Sequence, residues 1–173
     1  MKLDEGITVE DVLYSFERED LEQTPFELLL FCLGTEVERE PWGRAFCSHV
    51  WNFDRECISS TGDYQRIVKR LCVLSGDPHY LKDIEDDVNL NNEEAWVSYL
   101  LPDGKQRKWK LEVDDDWADF LGLSYVMDDL QRDGNLFYSK DNGQAMLLFY
   151  LSPNASKLNR LANDALQPVL DGD

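Results

Sequence analysis

Cys47 and His49 stand two positions apart, the spacing that puts a thiol and an imidazole on one face of a strand and could build a thiol nucleophile. Catalytic Cys and His usually come from separate elements that let them meet at the right angle. The simpler expectation is therefore a core cysteine beside a surface histidine. The other histidine, His79, follows Asp77-Pro78 and reads as loop surface. Four cysteines (Cys32, Cys47, Cys57, Cys72) contain no CxxC pair, so a zinc ribbon or thioredoxin-type centre is not expected. Their apolar neighbours predict reduced core thiols. No phosphate-binding glycine loop occurs, and the sequence predicts neither a cofactor nor a catalytic site.

Carboxylates are the richer source of chemistry. Asp114, Asp115, Asp116 and Asp119 could ligate a hard cation, which wants clustered oxygens. They lack the alternation and central glycine of a calcium loop, and acids in a first helical turn are favoured by the helix dipole alone. A third use is to face a partner. Asp83, Glu85, Asp86 and Asp87, followed by Glu93 and Glu94, form a second group. On a strand, Asp83, Glu85 and Asp87 would share one face, with Ile84, Asp86 and Val88 on the other. Such charge either keeps an edge strand from aggregating or makes a ridge that matches a basic patch. Trp42, between Pro41 and Gly43 in a charged connection, is the candidate exposed aromatic anchor.

The 173 residues carry 35 Asp plus Glu against 17 Lys plus Arg, a net charge of −18. The charge is concentrated in residues 1–40 and 81–120. A surface this negative disfavours direct nucleic-acid binding and anionic membranes, and steers a basic partner inward. Solubility alone is the plainer use of the same charge. Hydrophobic content of 43% is that of a globular chain, and its length favours one domain over residues 1–173. No apolar run reaches the roughly 20 residues that span a bilayer. Met1-Lys2-Leu3-Asp4-Glu5 does not start a signal peptide, so a cytosolic location is expected.

These groups must be positioned by the following elements. Thr8 and Asp11 suggest a capping box for a helix with Val9, Val12, Leu13 and Phe16 inward. Thr24-Pro25-Phe26-Glu27 opens a second helix, which Gly34 stops. Residues 1–40 thus form a helical N-terminal segment, and Glu36 to Arg44 is a connection. Phe46 to Ile58 has strand character. Tyr64, Ile67, Val68, Leu71 and Cys72 mark the clearest helix, with Arg66, Lys69 and Arg70 outward. Leu81–Val88, Ala95–Leu101 and Arg107–Val113 read as strands, the last two joined by Pro102-Asp103-Gly104-Lys105. Asp114–Asp116 cap a helix with Trp117, Phe120 and Leu121 inward, and Gly122 is a possible break. Asn135–Tyr138 and Ala145–Leu151 make a hairpin around Lys140-Asp141-Asn142-Gly143, where Asn-Gly is the turn signal, and the second strand, with no polar face, should be buried on both sides. A final helix buries Leu158, Leu161, Ala165 and Leu166, and 168–173 is a frayed tail. The fold class is α+β, a mixed, mainly antiparallel sheet packed by helices.

Trp51-Asn52-Phe53-Asp54-Arg55-Glu56-Cys57-Ile58, then Gly62-Asp63-Tyr64, then Asp116-Trp117-Ala118-Asp119 resemble a pattern in small bacterial proteins. Those proteins are similar to immunity proteins encoded beside secreted polymorphic or contact-dependent toxins. The resemblance spans about residues 45–165 in overall character and carries over no functional residue. It implies a small acidic cytosolic protein that masks a basic toxin domain, often a nuclease, without covalent chemistry. The alternatives are an acidic adaptor or nucleic-acid mimic, and a Cys/His or carboxylate–metal enzyme. The sequence leaves the oligomeric state open.

Overall fold

A computed structural model describes residues 3–23, 25–152 and 166–170. The elements are α1 (Val9–Ser15), α2 (Arg18–Gln23), α3 (Pro25–Leu33), β1 (Val50–Asp54), α4 (Asp63–Leu74), β2 (Lys82–Asn89), β3 (Glu94–Leu100), β4 (Gln106–Leu111), α5 (Phe120–Leu130), β5 (Leu136–Asn142), β6 (Ala145–Leu151) and β7 (Gln167–Pro168). They form an α+β fold with two antiparallel sheets, ordered β1-β6-β5-β7 and β2-β3-β4.

Because Ala145–Leu151 has no polar face, the Tyr150 hydroxyl being its one polar side-chain group and bonded to the Leu130 and Arg132 backbone, β6 is stable only where both its faces are covered. It lies between β1 and β5, and its residues alternate between two cores. Leu148 faces a core shared with α4, α5 and the three-stranded sheet. Leu147 and Phe149 face a core closed by Val12, Leu30, Cys32 and Val37 of the N-terminal segment and by Phe46 and Cys47 just before β1. Burying each such side chain contributes about 1.5–3 kcal/mol. The layers therefore run helix, sheet, helix, sheet. α5 bridges the last three, since it touches both β4 and β5.

The Thr8–Asp11 capping box forms, and Asp11 is buried, with Arg39 Nε at 2.7 Å and Arg44 at 3.3 Å from its Oδ1. Val9, predicted inward, is 55% exposed. Residues 25–33 form the second predicted helix; its Thr24 cap lies outside the described residues. Gly34 follows α3 as expected, but the reason is proximity rather than a left-handed backbone. A Cβ there would sit 2.7 Å from the Asn52 nitrogen, whose N–H donates to the Gly34 carbonyl.

Several expectations are corrected. The strand predicted over Phe46 to Ile58 is confined to β1, because Phe46 and Cys47 are buried in a non-strand segment and residues 48–49 form a turn before it. The short helix α2 lacks a periodic apolar stripe and was not legible. Gly122 does not break α5: it is buried within it, where a Cβ would overlap Leu111 Cδ2 and lie 2.7 Å from Asp119 Oδ2. The second hairpin is tighter than predicted: β5 runs on through Lys140, Asp141 and Asn142, and the turn is Gly143-Gln144, with Gly143 at φ +71°. Pro168 is not frayed; Gln167–Pro168 pairs with β5, and Val169 N–H donates to the Phe137 carbonyl. Of the predicted final helix only Leu166 is described, and it is buried; Leu158, Leu161 and Ala165 lie outside the described residues.

Gly34→Ala is expected to cost about 1–3 kcal/mol, because a backbone atom rather than a pliable side chain blocks the methyl; urea unfolding checks it, and an unchanged midpoint would remove the close approach as a constraint. A second expectation concerns acid. Hydrogen bonds from Arg39 and the Thr8 amide hold the Asp11 carboxyl well below the usual carboxylate range. Its stabilising contribution is therefore complete above about pH 4 and is lost as pH falls through the acid range. Asp11→Asn should be less stable than the parent at neutral pH, and the gap should narrow on acidification. A gap that stays constant between about pH 3 and pH 7 contradicts the assignment.

Candidate functional site

Asp119 organises the surface where the acids gather. It is the N-cap of α5, its Oδ1 accepting from Gly122 N–H at 2.9 Å while its Oδ2 accepts from Glu112 N–H at 2.8 Å. Its own N–H donates to the Tyr64 hydroxyl at 2.9 Å. The expected helix start at Asp114–Asp116 is thus a turn instead: Trp117 N–H reaches back to the Asp114 carbonyl, and Asp115 has φ +52°. That turn is held to the chain after β1, since the Asp116 carbonyl accepts from Cys57 and Ile58 and Ala118 N–H donates to the Arg55 carbonyl. Arg55 donates to the Gly143 and Gln144 carbonyls and lies 5.1 Å from the Trp117 ring centroid.

Two hollows adjoin there and share Glu112 and Asp119. One, about 230 Å³, is lined by Arg55, Glu112, Asp114, Trp117, Asp119 and Phe120. The other, about 480 Å³, is lined by Glu93, Lys110, Glu112, Val113, Asp119, Leu121 and Tyr125. Leu121, predicted inward, is 63% exposed, and Tyr125 is 42% exposed. The result is one groove with an apolar wall and a carboxylate rim. The structure therefore brings Glu93 and Asp119 to one hollow, although the sequence placed them in separate groups, and puts Asp114 in the adjoining one.

Other predicted residues go elsewhere. Asp86 points inward and accepts from Gly62 and Tyr64 N–H groups at 2.9 and 3.0 Å. It caps α4, whose own N-cap position, Gly62, has no side chain to do so. Asp83 sits at a bulge with φ +49°, outside the predicted row. Glu85 and Asp87 are exposed on the outer face of the three-stranded sheet, and Glu94 is exposed at the start of β3. Asp115 and Asp116 are exposed beside the groove without lining it. Trp42 is 67% exposed, as predicted, but belongs to the connection that covers the opposite face of the four-stranded sheet.

The sequence reading missed Glu112, Arg55 and the exposure of Leu121 and Tyr125. A signal for the last two was present: they are spaced i, i+4, out of phase with the buried stripe Leu123, Val126, Met127 and Leu130. Cys47 is fully buried while His49 is exposed in the turn before β1, so the strand face that would have aligned them does not form. A separate cleft of about 360 Å³ between β1 and α4 is lined by Trp51, Phe53, Asp54, Cys57, Arg66 and Arg70. Burial, then the Asp54 charge, pushes its Cys57 thiol up to about 11, opposite to what a thiolate nucleophile needs. Among the described residues no three His, Cys, Asp or Glu side chains are grouped to hold a metal, and no helix is long and apolar enough to cross a membrane.

Asp119→Ala is expected to destabilise by about 1–2 kcal/mol through its two lost amide bonds. Leu121→Lys should stay within about 0.5 kcal/mol of the parent. Thermal or urea unfolding of both variants checks the division of the groove into a structural floor and a replaceable wall. Equal losses would contradict it.

Compared with known family models, curated proteins and solved structures, the chain matches none.

Proposed function

We propose that this chain is an acidic, non-enzymatic inhibitor of the immunity type, which captures a basic partner domain in the cytoplasm and occludes it without covalent chemistry. The observation that carries the reading is the pair of adjoining hollows, one lined by Glu93, Glu112 and Asp119 beside exposed Leu121 and Tyr125, the other by Glu112, Asp114 and Asp119. Rim charges mainly speed encounter, whereas a desolvated apolar centre slows release. A tight inhibitor needs both, and the groove supplies both. A toxin nuclease is a suitable partner class, because a cleft that attracts phosphates also attracts a carboxylate rim. The nucleic-acid-mimic alternative asks for a longer regular row of carboxylates. On β2 only Glu85 and Asp87 keep strand spacing on the outer face, since the bulge displaces Asp83 and Asp86 turns inward.

The test pairs the parent with the combined variant Glu93→Lys, Glu112→Lys, Asp114→Lys, each immobilised and exposed to lysate of the source cell at low and then high salt. The expected result is one basic protein held by the parent at low salt, released at high salt and not retained by the variant. Equal retention by both proteins, or a partner whose bound domain is acidic, would sink the proposal.

A further inference from the structure

The cleft between β1 and α4 holds a cation that the fold leaves underused. Asp63, Arg66, Ile67 and Arg70 recur at i, i+3, i+4 and i+7, so one stripe of α4 faces Trp51 and Phe53 of β1. Arg70 is half-buried there, and its bond to the Val50 carbonyl is 3.5 Å long, at the limit of a hydrogen bond. Among the described residues no carboxylate forms an ion pair with it. Glu36 and Asp4 attract it without contact, and burial still draws its guanidinium below the usual arginine range. Two other arginines without a carboxylate partner are held differently. Arg55 donates to two backbone carbonyls at 3.0 and 2.7 Å and lies over the Trp117 ring. Arg132 donates to the Ser75 carbonyl at 2.7 Å and lies over the Tyr80 ring. A guanidinium drawn partly out of water with its fork of donors unfilled is placed to receive a carboxylate from outside.

The other charges in the cleft narrow what can bring that carboxylate. Asp63 is occupied by the Ser59 and Ser60 amides and by Arg66. Asp54 accepts from the Glu56 amide and the Gln144 side chain. Glu36 remains, exposed on the rim, its carboxylate in no ion pair among the described residues. A simple anion would meet Glu36 as well as Arg70 and be repelled by it. A ligand carrying both signs on adjacent atoms satisfies the two together. The wall between them is apolar, made by Trp51, by Phe53 with its ring 4.6 Å from the Trp51 ring, and by Ile67. At about 360 Å³ the cleft lies near the lower end of the roughly 300–1,000 Å³ typical of small-molecule sites, which share this pairing of apolar walls with a few convergent polar groups.

We propose that this cleft binds a free α-amino acid with an apolar side chain. Arg70 takes its carboxylate, Glu36 takes its ammonium, and the side chain lies against Trp51. The cleft shares no lining residue with the two acidic hollows, so the inference goes beyond the basic-partner reading and stands apart from it.

The probes are L-phenylalanine and L-leucine, each titrated against the full chain to about 10 mM, with amide and indole shifts recorded by NMR. At least one should bind with millimolar affinity or tighter, its shifts centred on residues 51–57, residues 66–70 and the Trp51 indole. Three relatives of L-phenylalanine each remove one feature: phenethylamine the carboxylate, N-acetyl-L-phenylalanine the ammonium, and glycine the side chain. Each should bind about tenfold more weakly or not at all. Arg70→Gln and Glu36→Gln should each lose about tenfold in affinity. Glu36 is exposed, so Glu36→Gln should unfold at the parent's urea midpoint and keeps the test decisive if Arg70→Gln is destabilised. No shifts with either amino acid, shifts centred elsewhere, or undiminished binding of phenethylamine or N-acetyl-L-phenylalanine overturns the proposal. So does undiminished binding by Glu36→Gln.

Discussion

The constraint on which the rest of the structure depends is that β6 offers no polar face. A strand of Ala, Met, Leu, Phe and Tyr cannot border water on either side, so the chain must supply two separate covers. On one side the N-terminal helices and the loop through Phe46 and Cys47 provide it. On the other, α4 and α5 do so, and their outer faces then need a second sheet. The helical N-terminal segment is thus half of the packing of β6 rather than an appendage. Gly34 marks how tightly that half is applied, since its carbonyl takes the Asn52 N–H across a gap with no room for a methyl.

The chain has 35 acids, and the structure divides them by use. Asp11, Asp63, Asp86 and Asp119 are turned inward and spend their oxygens on backbone amides or arginines. Asp63, at the start of α4, accepts from Ser59 and Ser60 amides and from Arg66, and these donors hold its carboxyl below the usual range against the opposing effect of burial. Such acids are joints between elements, because a buried carboxylate is tolerated only when donors surround it. The acids left over, among them Glu93, Glu112 and Asp114, are those that can meet a partner.

The groove depends on how α5 sits. Tyr99, fully buried, donates to Asp129 at 2.8 Å and accepts from Trp109 at 2.9 Å, while Arg107 bridges to both oxygens of Asp129 at 3.2 Å. This network locks α5 to β3 and β4 at one end, as Asp119 locks it at the other. With both ends fixed, the side of α5 that carries Leu121 and Tyr125 lies at the rim of the groove, where Tyr125 stacks on Trp109 at 5.0 Å and both side chains stay exposed. The apolar wall follows from the packing of the opposite face of the helix.

Local pattern was enough for much of this. The sequence by itself determined the α4 stripe, the capping box at Thr8, the two hairpins, the two-sided burial of β6 and the α+β class, because each depends on residues within one or two turns or pleats of one another. It also determined the net charge and hence the sign of any partner the surface attracts. Tertiary structure decided what depends on distant residues meeting. Asp86 became the cap of a helix more than twenty positions earlier, and Gly122 stayed in a helix because Leu111 needed the space. Glu93 came to lie beside Asp119, and Leu121 turned outward although it is apolar. The physical reason is the same in each case. Hydropathy and propensity report what a side chain favours on its own element, whereas capping, close approach and exposure are set by whichever element packs against it.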